Sequence, residues 1–161
     1  MNDAINRYCI DTSALLHAWR RAYPIKRFGP LWDKIDDLVD EERLLSSAEV
    51  LIELEKRDDD VYAWAKDREQ IFIDIDSDEL QLRMQELMAK YPRLVDTRKN
   101  RSAADPFVIG LATLYKPPLL VVTQEGATTN LNKPNIPDVC SAEGIECMTL
   151  LEMIDREDWV F

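Results

Sequence analysis

Residues 119–125 read Leu-Leu-Val-Val-Thr-Gln-Glu, and residues 8–13 read Tyr-Cys-Ile-Asp-Thr-Ser. Each stretch contains a short apolar run, which is typical of a buried strand, and an acidic residue at or just after the end of that run. Segments with helical spacing of their apolar residues separate the two runs along the chain. The alternation predicts an α/β fold with a mainly parallel central sheet flanked by α-helices.

Capping and stop signals place the other predicted elements. Ser13 can begin a helix that continues to about Ala22, and Asp105-Pro106 can begin one that continues to about Tyr115. Residues 71–75 alternate as a short strand does, although a loop that crosses the core can show the same pattern. The remaining predicted elements are helices near Pro30, after the capping-box sequence Ser46-Ser47-Ala48-Glu49, after Asp58-Asp59-Asp60 and over Asp78 to Tyr91, a polar loop over 126–138, a strand over 147–150 and a short C-terminal helix.

The composition is that of an ordinary globular protein: 46% of the 161 residues are hydrophobic and 32% are charged. The length predicts a single domain, residues 1–161, with a sizeable core. No apolar stretch approaches the roughly 20 residues that span a bilayer, and the N-terminus does not resemble a secretory signal. Cys9, Cys140 and Cys147 are odd in number and lack a CxxC spacing, and Cys9 and Cys147 lie in apolar, strand-like stretches, so we expect reduced core thiols. We therefore expect a cytoplasmic protein that does not associate with a membrane.

The available residues exclude several kinds of site. The chain has one histidine, His17, so a multi-histidine zinc site cannot form. The absence of GxSxG, Walker A and GxGxxG sequences argues against a hydrolase elbow, a P-loop and a dinucleotide-binding loop. The formal net charge of −11 argues against binding nucleic acid by overall attraction, but it permits a nuclease that uses a metal and a local basic strip.

Four acidic residues interrupt or end apolar stretches: Asp11, Glu53, Asp105 and Glu125. A carboxylate is costly to remove from water unless it is hydrogen-bonded, paired or bound to a cation. Asp11 and Glu125 follow the two clearest strands, whose carboxyl ends meet at the edge where open parallel sheets carry their sites. The arrangement predicts a shared site for a hard divalent metal such as Mg²⁺.

Helix capping offers a second interpretation for two of these residues. Asp11 can cap the helix that begins near Ser13, although Ser13 is itself a good cap and leaves Asp11 available for a metal. Asp105 precedes Pro106, which is the usual order of an N-cap and the first helical position. A carboxylate at a helix N-terminus can also face a metal, so the two interpretations of Asp105 are compatible.

The same residues resemble the acidic motifs of PIN-domain proteins, in the order of that family and over nearly the whole chain. Residues 8–13 resemble the opening Asp-x-Ser motif, and residues 47–54 resemble the second motif. Residues 104–112 resemble the third, and residues 122–125 resemble the fourth, where many members carry Asp instead of Glu. Three further stretches look like a bacterial PIN-like subgroup without a well-established activity: Tyr23-Pro24, Leu31-Trp32 and residues 133–140.

This resemblance implies a PIN-like fold and a metal-dependent endoribonuclease, often the toxin of a toxin–antitoxin pair. It implies a set of catalytic carboxylates that hold Mg²⁺ or Mn²⁺: Asp11, Glu53 and Asp105, with Glu125 as the fourth, directly or through a water. Ser13 and Thr123 are then placed to hydrogen-bond these carboxylates or a water on the metal. The expected partners are an RNA substrate and a cognate antitoxin protein, and a homodimer is a plausible assembly.

Glu49 is the alternative to Glu53 as the metal-binding residue of the second motif. Glu49 lies three residues after Ser46, where a capping box carries its glutamate, whereas no cap explains Glu53. The alternative for Glu53 is an exposed position on an amphipathic helix, paired with Lys56 or Arg57. The resemblance favours Glu53 as the metal-binding residue.

Glu125 is the point at which the chain departs from the usual motif. Its side chain is one methylene longer than that of Asp, so it can bind the metal differently or swing away. Asp138 is therefore a rival fourth ligand. The atypical Glu125 and the negative net charge also motivate a second hypothesis, a non-catalytic PIN-like module that binds RNA or a protein.

The strongest basic cluster lies just before the third motif and consists of Arg98, Lys99 and Arg101. Its position suits contacts with an RNA backbone, and a solvated loop is the alternative interpretation. A third hypothesis keeps the nuclease and changes the substrate to single-stranded or flap DNA.

Overall fold

Five short strands form the centre of the molecule: β1 Tyr8–Ile10, β2 Leu44–Ser47, β3 Phe72–Ile73, β4 Leu120–Val122 and β5 Cys147–Met148. The computed structural model describes residues 5–74, 77–94, 104–132 and 134–161. All five strands are parallel, and their order across the sheet is β3-β2-β1-β4-β5. The predicted α/β fold with a parallel central sheet flanked by helices is confirmed, and the architecture is consistent with a PIN-like fold.

Helices connect and flank the strands. They are α1 Thr12–His17, α2 Gly29–Asp40, α3 Ala48–Arg57, α4 Asp59–Lys66, α5 Asp78–Lys90, α6 Asp105–Leu114, α7 Ile136–Glu143 and α8 Leu150–Arg156. A π-helical turn, Ala18–Ala22, extends α1 to the end predicted from the sequence. In the parts of the chain that the structure describes, no helix combines the length and the apolar character that crossing a membrane requires.

The central strand β1 brings the first acidic residue to the end of β4. Ile10 pairs with Val122, and every residue of β1 is at most 1% exposed because helices cover the sheet. The backbone N–H of Asp11 donates to the Val122 carbonyl at 3.0 Å. Asp11 and Thr123, the residues that follow the two strands, therefore lie side by side at the carboxyl edge of the sheet.

Helix α6 packs on β1, β2 and β4 and places its N-terminus near the same edge. Its residues Val108, Ile109 and Ala112 are fully buried, which explains the nearly continuous apolar sequence of this helix. Helix α5 covers α6 closely at Gly110, where an added Cβ atom would lie 2.7 Å from the Met84 sulfur. Asp105 is the first residue of the buried helix α6 and is itself 3% exposed.

The sequence prediction was wrong for the segment before α3. Residues 44–47 form β2, which the pattern did not reveal because two of its four buried positions are serines. The Ser46 hydroxyl donates to the Ile10 carbonyl at 2.6 Å and so belongs to the sheet. Ser47 is the N-cap of α3 and accepts from the Glu49 N–H at 3.2 Å, so the capping box predicted from Ser46 to Glu49 does not form.

Two other segments, residues 71–75 and the polar loop after β4, differ in their outcome. Within the alternating residues 71–75, Phe72–Ile73 form a strand that pairs with β2, and Ile75 lies outside the described residues. The predicted polar loop is shorter than expected, because α7 begins at Ile136 after the N-cap Asn135. Gly144 ends α7 with a φ of +73°, a left-handed conformation that glycine adopts at little cost.

Candidate metal centre

Asp11 joins the central strand to the first helix. It is 1% exposed, and its Oδ1 atom accepts a hydrogen bond from the Ala14 N–H at 2.8 Å. This contact makes Asp11 the N-cap of α1. The prediction that Ser13 caps this helix was wrong, because the helix starts immediately after Asp11, and Ser13 is already its second residue.

Two hydroxyl groups orient the Asp11 carboxylate. The Ser13 hydroxyl donates to it, at 2.9 Å from each carboxylate oxygen, and accepts from the Gln124 N–H at 3.0 Å. The Thr123 hydroxyl donates to Asp11 Oδ2 at 2.6 Å and accepts from the Glu125 N–H at 3.1 Å. Ser13 and Thr123 thus tie Asp11 to the segment that carries Glu125.

Burial raises the pKa of Asp11 to about 7, since an ionised carboxylate loses its hydration in the protein interior. The hydrogen bonds from Thr123, the Ala14 N–H and Ser13 lower this pKa, whereas the negative charge of Glu125 raises it. The net increase means that the hydrogen bonds do not fully compensate for burial and for the neighbouring negative charge. A bound cation is the kind of partner that compensates for both.

Asp105 and Glu125 bring two more carboxylates to Asp11. Each of the three residues has a carboxylate oxygen within 4.8 Å of the oxygens of the other two. Asp105 is 3% exposed and is the first residue of α6, whose N-cap is Ala104. The prediction that Asp105 is the N-cap of this helix was therefore wrong by one residue. The partial positive charge of a helix N-terminus stabilises a carboxylate at this position.

Glu125 approaches the group from the loop after β4 and is half-buried. Its Oε1 atom accepts from the backbone N–H of Ile136, the first residue of α7, at 3.4 Å. The side chain thus contacts the start of α7 and also lies beside Asp11 and Asp105. The additional methylene of Glu does not keep its carboxylate away from the other two.

Glu53 occupies a different environment on α3. Its carboxylate forms an ion pair with Arg57, one helical turn later, at 3.6 Å. Within the described parts of the chain, the group of neighbouring carboxylates contains Asp11, Asp105 and Glu125 but not Glu53. The role of Glu53 in metal binding stays a prediction from the resemblance.

Asp138 lies in the first turn of α7, and its side chain reaches back to the loop that precedes this helix. Its carboxylate accepts hydrogen bonds from the Thr128, Thr129 and Asn135 N–H groups. Burial raises the pKa of Asp138, but the hydrogen bonds from Thr128, Asn135 and Thr129 outweigh that effect and lower it overall. Of the two rivals for the last position in the acidic group, the structure places Glu125 there, and Asp138 holds the loop.

The donor set fits a hard divalent cation. It consists only of carboxylate oxygens, which Mg²⁺ and Mn²⁺ prefer to nitrogen and sulfur ligands. Oxygens bound to one Mg²⁺ lie at most about 4.2 Å apart, since each metal–oxygen distance is about 2.1 Å. The three carboxylate oxygens lie within 4.8 Å of one another, which is close to this spacing, so they are near enough to share one ion.

Two backbone donors of this centre were not found from the sequence: the N–H groups of Gln124 and Ile136. Gln124 could not be found because its contact depends on the pairing of β1 with β4, which no local pattern encodes. Ile136 follows Asn135 and precedes Pro137, an order typical of the first turn of a helix. That signal could have revealed the start of α7, but not its contact with Glu125.

The residues predicted to bind RNA, Arg98, Lys99 and Arg101, lie outside the described residues. Among the basic residues that are described, Arg20 interacts with the end of α3. Its guanidinium donates to the Asp58 carboxylate at 2.7 Å and to the Arg57 carbonyl at 2.6 Å. These contacts give Arg20 a role in joining α1 to α3.

Comparison with known proteins places the chain in a family whose function is undefined. No curated protein matches it. One family model matches residues 8–161, a range that begins with the first residue of β1 and includes the whole acidic group. The chain belongs to the family described as Domain of unknown function (DUF4411).

Proposed function

We propose that this protein is a Mg²⁺- or Mn²⁺-dependent endoribonuclease with a PIN-like fold, and that it is the toxin of a bacterial toxin–antitoxin pair. The observation that carries the proposal is the approach of Asp11, Asp105 and Glu125 within 4.8 Å of one another. Asp11 and Glu125 follow strands at the carboxyl edge of a parallel sheet, where such folds carry their sites. The order of the acidic motifs, which resembles that of PIN-domain proteins, supports the same activity.

Asp11, Asp105 and Glu125 would hold the cation. When bound, Mg²⁺ or Mn²⁺ supplies acidity to a water and positive charge to the phosphate oxygens. Ser13 and Thr123 keep the Asp11 carboxylate from rotating, because both of its oxygens already accept hydrogen bonds. We therefore expect Asp11 to bind one cation through one oxygen rather than to bridge two cations.

The three carboxylates also differ in their access to solvent. Asp11 and Asp105 are almost completely buried, whereas Glu125 is half-buried. A phosphodiester therefore reaches the centre from the side of Glu125. Asp11 and Asp105 stay shielded from water on that approach and hold the cation from within the protein.

Digestion of single-stranded RNA by the purified protein with Mn²⁺ tests the proposal. Asp11→Asn and Asp105→Asn should lower cleavage at least about 100-fold, since each removes a metal-binding charge. Asp37→Asn makes the same chemical change on the exposed side of α2 and should cleave like the wild type. RNA binding without metal-dependent cleavage would instead indicate a non-catalytic module, and faster digestion of single-stranded DNA would change the substrate.

Growth after induced expression tests the toxin assignment separately. Wild-type protein should arrest growth, and co-expression of a neighbouring antitoxin gene should relieve the arrest. Asp11→Asn should not arrest growth at the same protein level. Arrest by Asp11→Asn at the wild-type level would separate toxicity from metal-dependent cleavage.

A further inference from the structure

Asp138 organises the loop between Glu125 and α7. Its carboxylate accepts from the N–H groups of Thr128 at 3.0 Å and of Thr129 and Asn135 at 2.8 Å. It also accepts from the Thr128 hydroxyl at 2.7 Å, and Asp138 is only 8% exposed. One buried side chain thus fixes both the first part of the loop and the residue that precedes α7.

Two further contacts connect this loop to the acidic group. The Asn135 side-chain amide donates to the Gly126 carbonyl at 2.8 Å and closes the loop next to Glu125. The Ile136 N–H donates to Glu125 Oε1 at 3.4 Å. Because Ile136 directly follows Asn135, the direction of its N–H group depends on how Asp138 holds Asn135.

The loop adopts a conformation that needs support. Thr129 has a φ of +59°, in the left-handed region that β-branched residues rarely occupy. Its N–H donates to Asp138, and its hydroxyl donates to the Thr128 carbonyl at 2.6 Å. Removing the Asp138 carboxylate takes away hydrogen bonds that stabilise this conformation, so the loop is expected to relax.

We propose that Asp138 is a positioning residue for the metal centre. By holding Thr128, Thr129 and Asn135, it places the Ile136 N–H where that group directs the Glu125 carboxylate toward Asp11 and Asp105. This inference rests on the proposed function, because it gives Asp138 a part in the same centre. Asp138 acts through Glu125 and does not itself bind the cation.

A double-mutant cycle measured by Mn²⁺ titration calorimetry tests this role. Asp138→Asn keeps the side-chain size but puts an amide N–H₂ group where an oxygen accepts N–H groups, and we expect it to weaken Mn²⁺ binding about tenfold. Glu125→Gln should weaken binding at least as much. In the double variant the loss of Mn²⁺ affinity should equal the loss in Glu125→Gln alone, since Asp138 acts only through Glu125. Unchanged Mn²⁺ binding by Asp138→Asn, or fully additive losses, would overturn the proposal.

A control separates positioning from the simple removal of one negative charge. Glu143 lies on the same helix, and its side chain contacts Tyr91 and Lys90. Glu143→Gln removes a charge without affecting the loop, so its Mn²⁺ affinity should stay within about twofold of the wild type. If Glu143→Gln weakens binding as much as Asp138→Asn does, charge alone explains the effect and positioning is refuted.

Amide hydrogen exchange without metal distinguishes failure of this inference from failure of the proposed function. The Ile136 N–H should exchange about tenfold faster in Asp138→Asn than in the wild type, because Asp138 no longer holds Asn135 and so no longer directs this N–H toward Glu125. Thr128→Val, which removes only one donor to Asp138, is a milder variant and should shift exchange in the same direction. If the wild type binds no Mn²⁺, the proposed function fails, and faster exchange still supports the positioning of Glu125. Unchanged exchange at Ile136 in both variants refutes the positioning.

Discussion

At the scale of single residues, the buried Asp11 carboxylate should give stability a pH dependence. Its pKa is about 7 in the folded chain and near 4 in an unfolded chain. Between these values the folded chain holds a proton that the unfolded chain releases. The stability that Asp11 contributes is therefore complete below about pH 4 and is lost as the pH rises to about 7. The total loss is of the order of a few kcal/mol.

Urea unfolding with EDTA at about pH 4.5 and about pH 7.5 measures this loss. The Asn side chain of Asp11→Asn is neutral at both pH values and can still cap α1. The free energy of unfolding of the variant should therefore rise relative to that of the wild type as the pH rises, because only the wild type loses the contribution of Asp11. Mn²⁺ at the higher pH should stabilise only the wild type. A difference between the two proteins that is independent of pH would contradict the burial of an ionisable Asp11.

Thr123 supports a second prediction for a single residue. Thr123→Val keeps the branched shape but removes the hydroxyl that donates to Asp11 and accepts from the Glu125 N–H. Calorimetry should show Mn²⁺ binding weakened about 10- to 100-fold. Thr123→Ser retains the hydroxyl and is the matched control. Equal affinities for the two variants would show that the hydroxyl does not orient the carboxylate.

The sequence predicts the acidic residues of the site better than it predicts their contacts. Asp11, Asp105 and Glu125 could be selected because each interrupts or ends an apolar stretch, where an uncompensated carboxylate is costly. The cap of α1 could not be assigned, since Asp11 and Ser13 are both good N-cap residues and only the position of the first turn decides between them. The environment of Glu53 depends on the orientation of α3, which local patterns leave undetermined.

At the scale of elements, the packing of α5 on α6 should limit the size of residue 110. Gly110→Val places methyl groups where even a Cβ atom would lie 2.7 Å from the Met84 sulfur. We expect the free energy of unfolding to fall by about 1–3 kcal/mol. Chemical denaturation measures the change, and Met84→Ala in the same chain should recover part of it. Unchanged stability in Gly110→Val would mean that α5 does not pack tightly on α6.

The elements missed by the sequence prediction share a physical cause. In β2, Ser46 and Ser47 occupy buried positions because their hydroxyls bond to the Ile10 carbonyl and the Glu49 N–H, so hydrophobic patterning fails there. The short helix α7 follows a polar loop and has little helical periodicity to distinguish it. Long apolar segments, such as β4 with its flanking residues and α6, were predicted because burial dominates their composition.

At the scale of the whole molecule, the fold brings together carboxylates that are far apart in the sequence. The parallel pairing of β1 with β4 places Asp11 beside the segment that leads to Glu125, and α6 brings Asp105 to the same group of carboxylates. The alternation of strands and helices predicts this assembly, because parallel strands share one carboxyl edge. The loop held by Asp138 could not be predicted, since its contacts depend on the conformation of each loop residue.

The most direct test of the metal centre is anomalous diffraction from crystals of the protein soaked in Mn²⁺. The account predicts an anomalous peak about 2.1 Å from one carboxylate oxygen each of Asp11, Asp105 and Glu125. Crystals of Asp105→Asn should lose the peak, and crystals of the surface variant Asp37→Asn should keep it. A fully soaked wild-type crystal with no peak among these three carboxylates would contradict the central claim.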